Sequence, residues 1–120
     1  MILYLAADLI WASKIKATAE SLGLPCRPVR NMEMLGARLA DSEVRALILD
    51  LDVAEMAMQM LAHVRSDESA KRVRVLAFGP HVARDELDAA KQGGADEVLT
   101  RGGFDHNMDQ VLLRLAGVGG

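Results

Sequence analysis

The sequence predicts a doubly wound α/β fold, with five parallel strands in the order 2-1-3-4-5, each followed by a helix. Three observations carry this. Ala46-Leu47-Ile48-Leu49 is a continuous apolar run ending in Asp50, too short to cross a membrane and too apolar for a half-exposed strand. Ile2 to Ala7 is a second such run, and helical spacings alternate with short apolar stretches along the rest of the chain. The third is the pair Pro25 and Pro28 in the short second strand. Proline donates no ladder hydrogen bond, so that strand belongs at a sheet edge, where the order 2-1-3-4-5 puts it.

Taken in order, the first strand ends near Ala7, and Asp8 precedes a helix whose inner positions are Ile15, Ala19 and Leu22, stopped by Gly23. Leu24 to Arg30 forms the edge strand. Asn31 caps a second helix with Leu35 and Leu39 inside, weakened by Gly36 by about 1 kcal/mol relative to alanine. The central strand follows, then a third helix with Ala57, Met60, Leu61 and Val64 on one face. Ser66 to Lys71 reads as a charged loop. Val73 to Phe78 is the fourth strand, Gly79-Pro80-His81 a turn, and Ala83, Leu87 and Ala90 mark a fourth helix that ends at Gly93-Gly94. Glu97 to Thr100 is a fifth strand, Arg101-Gly102-Gly103 a loop, and Met108, Val111, Leu112 and Leu115 form the apolar stripe of one last helix. A single domain is expected over 1–117, with 118–120 a fraying tail.

Composition narrows the function. Net charge is −3, so no global basic field draws the chain to nucleic acid. Hydrophobic residues make up 51% and aromatics only 3%, so aliphatic side chains and methionine must fill the core. Met56, Met58 and Met60 cannot share one helix face, which places some of them outward as candidate partner contacts. One cysteine, Cys26, cannot form an internal disulfide, and no Cys/His cluster suggests zinc. No apolar run reaches membrane-spanning length, and the N-terminal stretch lacks a basic n-region and a cleavage site. A cytoplasmic setting is expected.

Asp50, at the carboxyl end of the central strand, sits where open α/β sheets place their chemistry. Ala46 to Asp50 is similar to the third strand of a response-regulator receiver domain, which ends in the phospho-acceptor aspartate. Gly94-Ala95-Asp96-Glu97-Val98-Leu99-Thr100-Arg101 resembles the family's fifth-strand segment, Gly-Ala-Asp-x-aromatic-Leu-Thr-Lys-Pro. The resemblance covers nearly the whole chain and implies a flavodoxin-like, receiver-type fold and a role in two-component signalling. Most of the working residues it implies are replaced. The first-strand acidic pair that helps hold magnesium is matched by Ala6 and Ala7, with Asp8 one step further on. The fourth-strand Ser or Thr is matched by Gly79, the fifth-strand lysine by Arg101, the following proline by Gly102, and the switch aromatic by Val98. Asp50 alone survives; Asp52 shares its side if the strand continues.

Phosphoryl transfer to a carboxylate needs a metal and a cation to neutralise the developing charge, and magnesium wants several oxygen ligands. The expectation is therefore a pseudo-receiver: a module acting by protein–protein interaction, with no catalytic residues, no cofactor and no small-molecule substrate, partnered by a signalling protein or a second copy. Two alternatives stand beside it. One is a working phosphorelay regulator, phosphorylated on Asp50 with magnesium. The other is a small phosphatase, since Asp50-x-Asp52 resembles the nucleophile and acid of haloacid-dehalogenase-type enzymes. For Asp50 itself the plain reading is a turn cap. By resemblance, Leu87, Ala90, Val98 and Val111 border the face that receivers commonly use for contacts.

Overall fold

The computed structural model describes residues 1–118. β1 (Ile2–Leu5), β2 (Cys26–Pro28), β3 (Ala46–Asp50), β4 (Arg74–Gly79) and β5 (Glu97–Thr100) form one parallel sheet in the order β2-β1-β3-β4-β5, as the sequence predicts. Helices α1 (Leu9–Ser21), α2 (Met32–Asp41), α3 (Ala54–Ser66) and α4 (Arg84–Gln92) connect the strands, and α5 (Arg101–His106) and α6 (Met108–Leu115) follow the last of them.

Strand alternation divides the core into two layers. Ile2, Tyr4, Ala46, Ile48, Leu76 and Phe78 point toward Trp11 and Ile15 of α1, Phe104 of α5 and Leu112 of α6. Leu3, Leu5, Leu47, Leu49, Val75 and Ala77 point the other way, toward Leu35 of α2, Met60 and Leu61 of α3 and Ala90 of α4. Every residue of β3 is buried. Two apolar faces on one strand produce an unbroken apolar run instead of an alternating one, which is why this stretch is so legible. The predicted inner faces of α3 and α6 are likewise buried throughout.

Local chemistry sets the boundaries, and several differ from expectation. β1 stops at Leu5 because the chain turns at Ala7 and Asp8, where the Asp8 carboxylate accepts the Trp11 N–H at 2.9 Å and starts α1. Gly23 ends α1 with φ +71°, and Asn31 caps α2 through the Met34 N–H. Gly79 lies in β4, not in a turn: its register partner is Thr100, and the chain leaves the sheet only at Pro80. Arg101-Gly102-Gly103 is the first turn of α5, not a loop. The Thr100 hydroxyl accepts the Gly103 N–H at 3.1 Å, and this cap outweighs the poor helix propensity of two glycines. The last helix breaks at Asn107, so two helices instead of one follow β5. Ser66 to Lys71 contains a 3-10 turn, Glu68–Ala70, with Ala70 buried.

Of the methionines on α3, Met60 is buried and Met56 and Met58 are half-buried against the core; none stands out into solvent as expected. Gly93 explains Met58, since a Cβ there would come within 3.2 Å of the Met58 Cε. A guanidinium fastens the far side of the sheet. Arg65, in the last turn of α3, donates to the carbonyls of Gly94 and Val73 at 2.8 and 2.9 Å and to the Asp96 carboxylate at 2.7 Å. Asp96 in turn accepts the Val75 N–H at 2.7 Å, so the Gly-Ala-Asp segment ties α3, β4 and the entry to β5 together. Among the described residues, no helix is long and apolar enough to cross a membrane. The expected tail falls partly on 119–120, which lie outside the described residues.

Candidate functional site

Asp50 is the last residue of β3, paired in register with Phe78, and is the one buried polar or charged residue among those described, with 0% exposure. Both of its oxygens are engaged by the backbone. One accepts the Asp52 N–H at 3.0 Å, closing a tight turn two residues on, and the other accepts the Ala7 N–H at 2.9 Å across the gap between β1 and β3. The side chain thus caps the turn, as the plain reading holds, and also clamps the β1–α1 loop to the central strand. Burial pushes the carboxyl above its ordinary range; the Ala7 amide and the Arg101 guanidinium oppose that, and Asp8 adds to it.

The other predicted positions surround this carboxyl without joining it. Asp8 is exposed and its Oδ1 is held by its own helix. The strand does not continue to Asp52; the chain turns into a 3-10 segment, Leu51–Val53, which carries Asp52 out to Arg101. The guanidinium of Arg101, the first residue of α5, pairs with the Asp52 carboxylate, while its Nε is buried without a partner. Arg101 therefore stands at the position matched to the family's lysine but bonds the turn beyond Asp50. Gly79 lines the wall on the β4 side. A Cβ at Gly79 would lie 3.2 Å from the Leu51 Cβ and 3.7 Å from a Leu87 methyl, so no room is left beside this strand end for a hydroxyl-bearing side chain without movement.

This donor set does not fit magnesium. The ion takes oxygen ligands in near-ideal octahedral geometry, usually one or two carboxylates with water and phosphate. Here the buried carboxylate already serves two backbone donors, the second acid is paired with arginine, the third caps a helix, and Ala6 and Ala7 contribute no oxygen from their side chains. Among the described residues, no group of three or more His, Cys, Asp or Glu side chains comes together as a ligand set. What the arrangement does chemically is hold a carboxyl, two backbone loops and an ion pair in one fixed geometry.

Three features of the site escape the residue-by-residue reading. Leu51, 4% exposed, occupies space beside Gly79. Phe78 and Phe104 lie with ring centroids 4.8 Å apart and Trp11 4.9 Å from Phe78, so three of the chain's four aromatics pack together next to Asp50's strand. A signal for Trp11 exists, because it continues the Ile15 and Ala19 stripe one turn toward the N-terminus. Of the four residues bordering the contact face implied by resemblance, several of which must also serve the core, Ala90 and Val111 are buried at 0% and 3%, which leaves Leu87 and Val98 to carry that face.

No protein-family model and no curated protein sequence matches the chain. Solved structures do. The receiver domain of a signal transduction histidine kinase from Syntrophus aciditrophicus superposes with TM-score 0.81 at 20% identity, covering 98% of this chain and 91% of that one. The chemotaxis response regulator CheY4 of Vibrio cholerae gives 0.78 at 15% identity, covering 95% and 96%. The receiver domain of a sensor histidine kinase from Pseudomonas aeruginosa, which has a magnesium ion coordinated in its active-site cleft, gives 0.77 at 18% identity, covering 97% and 96%. The fold is the receiver fold.

Proposed function

We propose that the chain is a receiver-like signalling module, one domain over 1–117, that works by binding another protein in the cytoplasm and does not depend on metal-assisted phosphorylation of Asp50. One observation carries this reading: a carboxylate with no exposed surface and both oxygens occupied by backbone amides. An acceptor must present a free oxygen in line with the phosphoryl donor, and the negative charge that builds up needs cations held nearby. Releasing Asp50 for that task would orphan the Ala7 and Asp52 amides, and the one nearby guanidinium is already paired with Asp52.

The test is incubation with acetyl phosphate and magnesium chloride, followed by intact-mass measurement. The expected result is no phosphoryl adduct. A magnesium-dependent adduct that Asp50→Asn abolishes would restore the phosphorelay alternative, and turnover of para-nitrophenyl phosphate lost in the same variant would restore the phosphatase one. Size-exclusion chromatography with light scattering separates a partner-binding monomer from a homodimer.

A further inference from the structure

A groove of about 580 Å³ that the site above does not use runs between the outer side of α1 and the β2 edge. Leu9, Ala12 and Lys16 line it from one strip of α1, and Arg27, Pro28 and Arg30 line it from β2 and the residues that follow. Leu9, which lines the groove, is 84% exposed and available for contact. Among the described residues, none of Lys16, Arg27 and Arg30 takes part in an ion pair, although the chain as a whole carries net charge −3. Among the described residues no carboxylate lines the groove; Glu20, a turn beyond Lys16, acts from outside it on Tyr4 and Cys26.

Pro28 weakens main-chain recognition at this edge, although the Cys26 amide and the Pro28 carbonyl share its outward parity. The Tyr4 carbonyl accepts the Val29 N–H, so strand parity turns Pro28 outward, where it offers no donor to an added strand. The side chains supply the rest: three cations without an ion-pair partner among the described residues, Lys16, Arg27 and Arg30, and the apolar Leu9. We infer that this groove binds an acidic segment of a partner protein, with carboxylates against Lys16, Arg27 and Arg30 and an apolar side chain against Leu9. The inference rests on the proposed binding role and names the chemistry of its partner.

The test uses the full chain and a fluorescein-labelled peptide of alternating Glu and Leu, followed by anisotropy without acetyl phosphate. The peptide should bind, and the Arg27→Glu/Arg30→Glu double variant should weaken it roughly tenfold, as two exposed charge contacts allow. Lys16→Glu, on a different element, should weaken it too, while Arg72→Glu, exposed elsewhere, should stay within about twofold. No binding, an equal loss in Arg72→Glu, or equal affinity for a Lys/Leu peptide would overturn the inference. So would anionic phospholipid vesicles binding where the peptide does not, or a homodimer that the double variant abolishes. A phosphoryl adduct on Asp50 with the groove still binding would remove the proposed independence from phosphorylation and leave this inference standing.

Discussion

Asp50→Asn tests how the buried carboxyl is held. Asparagine keeps the shape and one acceptor oxygen, but its NH2 must face one of the two N–H groups, from Ala7 or Asp52, that the carboxylate accepts at 2.9 and 3.0 Å. An unmatched donor of this kind costs about 1–3 kcal/mol. Against that cost, asparagine removes a charge that burial disfavours, and this second effect depends on pH. The folded pKa of Asp50 is raised above the ordinary value of 3.8, so the folded chain holds a proton that the unfolded chain releases. Asp50's contribution is therefore fully present below pH 3.8 and is lost as pH rises through the raised folded value. The variant lacks that decline. In urea unfolding across a pH series, the asparagine variant should be less stable by about 1–3 kcal/mol at the acid end, or roughly 4 °C in melting temperature per kcal/mol, with the deficit shrinking toward neutral pH. A deficit that widens as pH rises would mean that the folded chain favours the ionised form. The amides and cationic groups around Asp50 would then outweigh its burial, and this account of the buried carboxyl would be refuted.

Gly79→Ser restores a hydroxyl at the position matched to the family's Ser or Thr, yet its Cβ would lie 3.2 Å from the Leu51 Cβ, an atom that no rotamer change can move. The variant should lose about 1–3 kcal/mol in thermal unfolding and still form no adduct with acetyl phosphate. Arg65→Ala removes three hydrogen bonds, to Gly94, Val73 and Asp96, and leaves Asp96 without its cation. A loss of about 2 kcal/mol is expected in chemical unfolding, and Arg65→Lys should recover only part of it because lysine cannot serve three acceptors in one plane.

The strands and helix stripes were legible because burial on two faces or one leaves a periodic mark, as in β3 and in the Ala57, Met60, Leu61 and Val64 stripe of α3. The cap at Asn31 could also be anticipated, since the side chain acts within three residues of itself; Asp8 caps α1 at the same range but was read as a neighbour of the Asp50 pocket. Thr100 acts at the same range, but the two glycines that follow it concealed the start of α5. Asp50 could be located, but its partners could not: the Ala7 amide is 43 positions away, and only the fold brings it within reach. Arg101 was placed at the site by resemblance, yet its bond to Asp52 depends on the 3-10 turn that ends β3. Arg65 left no local signal because its acceptors come from three separate segments. The methionines of α3 misled because spacing alone does not show how far a flexible side chain folds back over a gap such as Gly93.

Trp11 is the chain's one tryptophan, 8% exposed, with its ring 6.1 Å from that of Phe104 and the Lys14 ammonium 5.1 Å from its centroid. Its backbone is tethered to Asp8, next to the loop that Asp50 clamps. Selective excitation therefore addresses a single indole. Its emission wavelength and quenching by iodide become a built-in optical gauge of whether that loop stays shut, with no dye attached.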